Sequence, residues 1–188
     1  MVTLVDLLLP ILVSSIVVFF VSSLFHMVLP IHKNDYKQIP GEDDVRAAIR
    51  NANVPPGEYM LPCPKDMKDC QSPEILAKMN EGPVGVVIIR PNGPMQMGKA
   101  LLQWFIYSLV VGFVAAYVAS FTISAGAEYS LVFRVTGTIA IAIYALSNVM
   151  ESIWKGVSWK IALKFVGDGI AYGLVTGATL AWLWPEAL

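Results

Sequence analysis

Asp168 is the side chain whose position most needs a chemical explanation. It stands in an otherwise apolar run, between Gly167 and Gly169, with Lys164 four residues before it. That spacing puts both charges on one helix face. A carboxylate at such a depth in lipid is costly and must face either the bundle interior or water. One reading is a proton or cation site. The preferred reading is structural: a buried pair with Lys164 that pins the last apolar helix to Asn148 or Glu151 on the helix before it. Asp6 and Arg134 make a second candidate ion pair, at the opposite membrane face.

Sulfur and imidazole offer less. Cys63 and Cys70 occur in Cys-Pro-Lys-Asp-Met-Lys-Asp-Cys and are expected as free thiols in a reducing compartment. A disulfide would require the opposite orientation or a redox switch. The two histidines, His26 and His32, belong to the same membrane face, but nothing in the sequence sets them beside the cysteines. His26 reads as an interfacial residue that reaches head groups or water. There is no Ser/His/Asp set, no phosphate-cradling glycine loop and no run of metal ligands. No catalytic residue, cofactor or metal is therefore assigned.

The elements that carry these residues are easier to read. Of the 188 residues, 56% are hydrophobic and only 14% are charged, against about a quarter charged in soluble domains. Four apolar stretches, 7–29, 101–123, 132–150 and 161–184, approach or exceed the roughly 20 residues a helix needs to cross a bilayer. The third is the shortest and contains Arg134, whose head group must extend to the interface. The first is not a signal peptide. No basic residue precedes it, Asp6 is acidic, the run exceeds the roughly 7–15 residues of a signal core, and no small-residue cleavage site follows.

All of the 13 Lys and Arg residues except Arg134 fall between the first and second stretches, between the third and fourth, or just inside the fourth. Basic residues stay on the cytoplasmic side, so both termini are expected outside and residues 31–98 in the cytoplasm. The net charge of −1 makes no case for nucleic-acid binding. The division is a first membrane helix (1–30), a cytoplasmic cap (31–98) and three further membrane helices (99–188). The fold class is an all-α membrane protein with a small α+β cap. Within the cap, Glu42-Asp43-Asp44 opens one helix and Ser72-Pro73-Glu74 another. The β-branched run 84–89 is a strand, with 58–61 as its partner.

Small residues recur every four positions on two helices: Ser108, Gly112, Ala116 and Ser120, then Gly169, Gly173, Gly177 and Ala181. In lipid, close backbone approach supplies the contact that hydrophobicity supplies in water. Both stripes are packing surfaces, within one bundle or between copies. Trp154, Trp159, Trp182 and Trp184 form an interfacial belt.

The segments Leu7-Leu8-Leu9-Pro10-Ile11, Arg90-Pro91-Asn92-Gly93-Pro94, Met97-Gly98-Lys99-Ala100, Ser152-Ile153-Trp154-Lys155-Gly156, Leu163-Lys164-Phe165 with Asp168-Gly169, and Trp182-Leu183-Trp184-Pro185 carry a resemblance. Over most of its length the chain resembles a group of small four-helix bacterial inner-membrane proteins of about this size. The resemblance implies a bacterial origin and a four-helix topology, and it carries over no activity and no functional residue. The first functional expectation is a non-enzymatic scaffold or accessory subunit, its partners being the lipid bilayer and either another membrane protein or a second copy. The alternatives are an oligomeric small transporter or channel that uses Asp168 and Lys164, and a membrane redox or metal protein that uses Cys63 and Cys70 with the histidines.

Overall fold

A computed structural model describes residues 2–187. In chain order its elements are α1 (Leu8–Ser23), continued by a π-helical turn (Leu24–Val28), α2 (Glu42–Asn51), β1 (Gly57–Leu61), a 3-10 turn (Asp69–Gln71), α3 (Pro73–Glu81), β2 (Gly85–Ile89), α4 (Met97–Thr122), α5 (Tyr129–Lys155) and α6 (Trp159–Trp182). Four helical segments are long and apolar enough to cross a membrane: Leu8–Val28, Met97–Thr122, Tyr129–Lys155 and Trp159–Trp182. They coincide with the four apolar stretches. The third is longer than its apolar core suggests, with 27 residues, because polar turns extend it at both ends.

Two units divide the chain. One comprises Met1–Asp35, Gln96–Ile153 and Val157–Leu188, and the other Tyr36–Met95 with Trp154–Gly156. Residues 31–35, read from the sequence as the start of the cap, thus belong to the helical unit.

The helical unit exposes apolar side chains as well as burying them. Large ones such as Leu9, Phe20, Phe121, Leu146, Leu163 and Trp182 point outward. The interior combines apolar residues such as Leu7, Val18, Val132 and Leu180 with small and hydroxylated ones, and Ser14, Ser15, Ser108, Thr136 and Thr176 are almost fully buried. Their hydroxyls donate back to carbonyls of their own helices: Ser14 and Ser15 to Ile11, Ser108 to Trp104, Thr136 to Val132, and Thr176 to Tyr172. No polar partner from another helix is needed.

Both small-residue stripes are spent inside one chain. A Cβ added at Gly169 would lie 2.7 Å from the Ala145 backbone. One at Gly173 would lie 2.5 Å from Ile141 N, and one at Gly177 2.6 Å from Gly137 Cα. So α6 presses directly on the main chain of α5. On α4, a Cβ at Gly112 would meet Ser14 Oγ of α1 at 3.1 Å. Ser108 and Ala116 lie buried on the same face. At the end that carries both termini's neighbours, Trp184 Nε1 donates to Ser124 O and Gly126 N to Pro185 O, which ties the C-terminal tail to the α4–α5 turn.

In the second unit β1 and β2 pair antiparallel, with Tyr59 opposite Val87. This is the expected strand pair. Ser72 caps α3 by accepting from Ile75 N, with Pro73 in the first turn. The acidic start of α2 is likewise as expected. Cys63 and Cys70 are both free thiols in this unit.

Candidate functional site

The site begins where α1 loses its regular pitch. Ser22 and Ser23 both donate their hydroxyls to Phe19 O, each at 2.9 Å. Side-chain bonds of this kind compete with the helical ladder, and the next residues, Leu24–Val28, form the π turn. Leu29 N closes it on Leu24 O. Such turns re-aim side chains, and this one carries His26. Pro30 then ends the helix, and tight turns through His32 and Asp35 fold the chain back. As a result the rings of His26 and His32 stack with centroids 4.3 Å apart, and Phe165 of α6 covers His32 at 5.0 Å.

Asp168 meets this pair. It is 4% exposed, beside the point where Gly169 brings α6 onto α5. Its Oδ2 lies 2.8 Å from His32 Nε2 and 3.7 Å from His26 Nε2. The three candidate ligand atoms all lie within 4.8 Å of one another. Behind them, His32 Nδ1 stands 2.6 Å from Asp35 Oδ2. Lys164 Nζ donates to Asp35 Oδ1 and, at 2.7 Å, to Ile31 O. Asp35 is therefore a buried carboxylate with two partners. Its pKa is held below the ordinary carboxylate range, first by the Lys164 ammonium and then by His32, against the opposing effect of burial.

Asp35, held ionised, faces His32 Nδ1 and accepts its hydrogen bond. Nε2 then confronts the Asp168 carboxylate at 2.8 Å. The ring direction does not line up for a hydrogen bond, and both His32 Nε2 and Asp168 Oδ2 are buried without a hydrogen-bond partner. Either a proton on Nε2 or a metal ion between the two atoms would satisfy both.

Next to this cluster lies a cavity of about 620 Å³. Its walls include Trp104, Tyr107, Tyr144 and Tyr172, and His26, Asn148 and Asp168 also border it. Trp104 is fixed by an Nε1 donation to Ser22 Oγ at 2.8 Å. His32 does not border the cavity; it lies behind His26 and Asp168.

Several expected partnerships are replaced. Lys164 does not pair with Asp168 but with Asp35, 129 residues away. Asn148 does not pin Asp168. Asn148 donates to the Tyr144 and Ala145 carbonyls of its own helix, and Glu151 is exposed near the end of α5. Asp6 accepts from the amide and hydroxyl of Thr3, and it forms no ion pair with Arg134 among the described residues. The cysteines lie in the other unit and take no part. Sequence reasoning missed Asp35 as a site residue and weighed His32 only in company with the cysteines. The His-x-x-Asp spacing just after Pro30 was the available signal.

The chain is thus mostly helical, with four helices long and apolar enough to span a membrane and a partly buried His/Asp cluster beside a half-open cavity. No protein-family model, curated protein or solved structure matches it.

Proposed function

We propose that this protein is a multi-pass membrane protein that holds a divalent transition-metal ion between His26, His32 and Asp168. The observation that carries the reading is the 2.8 Å approach of His32 Nε2 to Asp168 Oδ2, both buried and neither in a hydrogen bond, with His26 completing a three-ligand group. A proton on Nε2 would have been expected to point at the carboxylate. An ion held by both atoms needs only that both lone pairs face a common point.

The donor set fits. Imidazole and carboxylate suit Zn²⁺ or Fe²⁺ better than Mg²⁺ or Ca²⁺, which take oxygen ligands. Bonds of about 2.0–2.1 Å at tetrahedral angles place ligand atoms about 3.3 Å apart. The separations of 2.8 and 3.7 Å bracket that value. His26, on the π turn and with 38% of its side chain exposed, is the ligand that swings in to complete the set. Asp35 behind His32 is the outer carboxylate that metal-binding histidines commonly use.

Charge asymmetry supports an orientation with both termini outside and residues 31–98 in the cytoplasm, and the resemblance noted above supports a bacterial inner membrane. On that reading the metal lies near the cytoplasmic ends of the helices. All three ligands come from one chain, so the site needs no oligomer, unlike a transport path through several copies. No catalytic step is assigned to it.

Metal analysis tests the reading directly. Protein purified without chelator in mild detergent should carry close to one Zn or Fe per chain, or bind Co²⁺ with visible d–d absorption. Asp168→Asn should abolish both while the helical circular dichroism is retained. A protein that never takes up metal, with His32 protonated at both nitrogens by NMR, would establish a proton-bridged cluster and defeat the proposal.

A further inference from the structure

We infer, resting on the metal reading above, that the ion's remaining coordination position takes the anionic oxygen head of a single-chain amphiphile whose apolar body lies in the adjoining cavity. Three protein ligands leave a four-coordinate ion one position short. His26 and Asp168 border the cavity and His32 does not, so the unfilled position lies on the cavity side.

Charge selects the head group. The ion brings two positive charges and the Asp168 carboxylate returns one. Asp35 and Lys164 cancel each other through their ion pair. Both imidazoles ligate as neutral rings. One positive charge is left over in apolar surroundings, where an uncompensated charge is expensive. A carboxylate removes it and an alcohol does not.

Shape selects the body. At about 620 Å³ the cavity falls within the usual range for small-molecule sites, roughly 300–1,000 Å³. Leu101, Met97, Trp104, Tyr107, Tyr144 and Phe165 give it a mostly apolar lining. A short anion such as acetate would satisfy the ion and leave those walls uncovered. An acyl chain satisfies both.

The test uses the full-length, Co²⁺-loaded protein in lipid nanodiscs, with decanoate, decanol and acetate as probes. Decanoate should shift the Co²⁺ d–d bands at a concentration at least tenfold below that at which acetate acts, and decanol should leave them unchanged. Ala100→Trp, which fills the cavity from its border, should keep the Co²⁺ spectrum and remove the response to decanoate. The inference is overturned if decanoate leaves a Co²⁺-loaded sample unchanged, if acetate matches decanoate, or if Ala100→Trp responds as the parent does. A starting protein with no Co²⁺ absorption at all is a different failure: it removes the metal reading itself, and this inference with it.

Discussion

His32 draws its character from two carboxylates on opposite sides. Asp35 accepts from its Nδ1 and Asp168 faces its Nε2, so one ring joins a loop to a transmembrane-length helix. Outer carboxylates of this type, when removed, typically lower metal affinity by about 10–100-fold. Asp35→Asn should do so here, measured by competition with a chromophoric chelator, while His32→Ala should abolish high-affinity binding. The same substitution has a pH signature. Because folding depresses the Asp35 pKa, its contribution to stability is present above the ordinary carboxylate value of about 3.9. That contribution is lost as pH falls through the lower folded value. Metal-free parent and Asp35→Asn proteins should therefore differ most in thermal stability near neutral pH and converge in strong acid. Persistence of the full difference well below pH 3 would contradict the assignment.

At this scale the sequence marked Asp168 but misread its neighbours. Lys164 four residues earlier was visible as a helical pair, and local spacing is the only kind a sequence displays directly. Asp35 competes successfully because the turn after Pro30 places it against Lys164 where Asp168 is already engaged. The two histidines looked interfacial for the same reason: the stacking that joins them depends on a π turn and a chain reversal, and neither has a clear periodic signal.

Among the elements, the contact between α5 and α6 carries the sharpest steric demand. Gly173 faces the backbone nitrogen of Ile141 at 2.5 Å from where a Cβ would be, so a methyl group there must push two main chains apart. Overpacking typically costs about 1–3 kcal/mol. Gly173→Ala should fall in that range in a reversible detergent-unfolding experiment. Gly112→Ala, whose methyl comes closest to the Ser14 hydroxyl at 3.1 Å and meets Ile11 only at 3.5 Å and beyond, should cost clearly less. Equal losses would mean that the stripes are not distinguished by backbone contact. The stripes were legible because small residues at every fourth position have few purposes in an apolar helix. Their choice of partner was not, since both intramolecular and intermolecular packing fit the same spacing. The four helices themselves were plain from apolar length. The true ends of α5 were hidden because Tyr129 and Lys155 lie beyond its apolar core.

For the whole molecule, the proposed orientation has a direct check. Cys63 is exposed and lies in the segment assigned to the cytoplasm. A membrane-impermeant maleimide should label it only after cells are opened, and labelling of intact cells would reverse the topology. Metal should also report on global stability. An ion bound only by the folded state stabilises it by about 2.7 kcal/mol at a free concentration 100 times Kd. Zn²⁺ should accordingly raise the melting temperature of the parent protein and leave that of Asp168→Asn unchanged. The second unit was readable piece by piece, through its Ser-Pro helix start and its β-branched strand, since those signals are local.

His26 and His32 are encoded near the start of the chain, while Asp168 belongs to its final helix. On the metal reading, a ribosome must therefore reach Asp168 before the three proposed ligands coexist. Loading would mark the arrival of that helix: a nascent or truncated product lacking it would keep two imidazoles and lose the carboxylate that closes the socket.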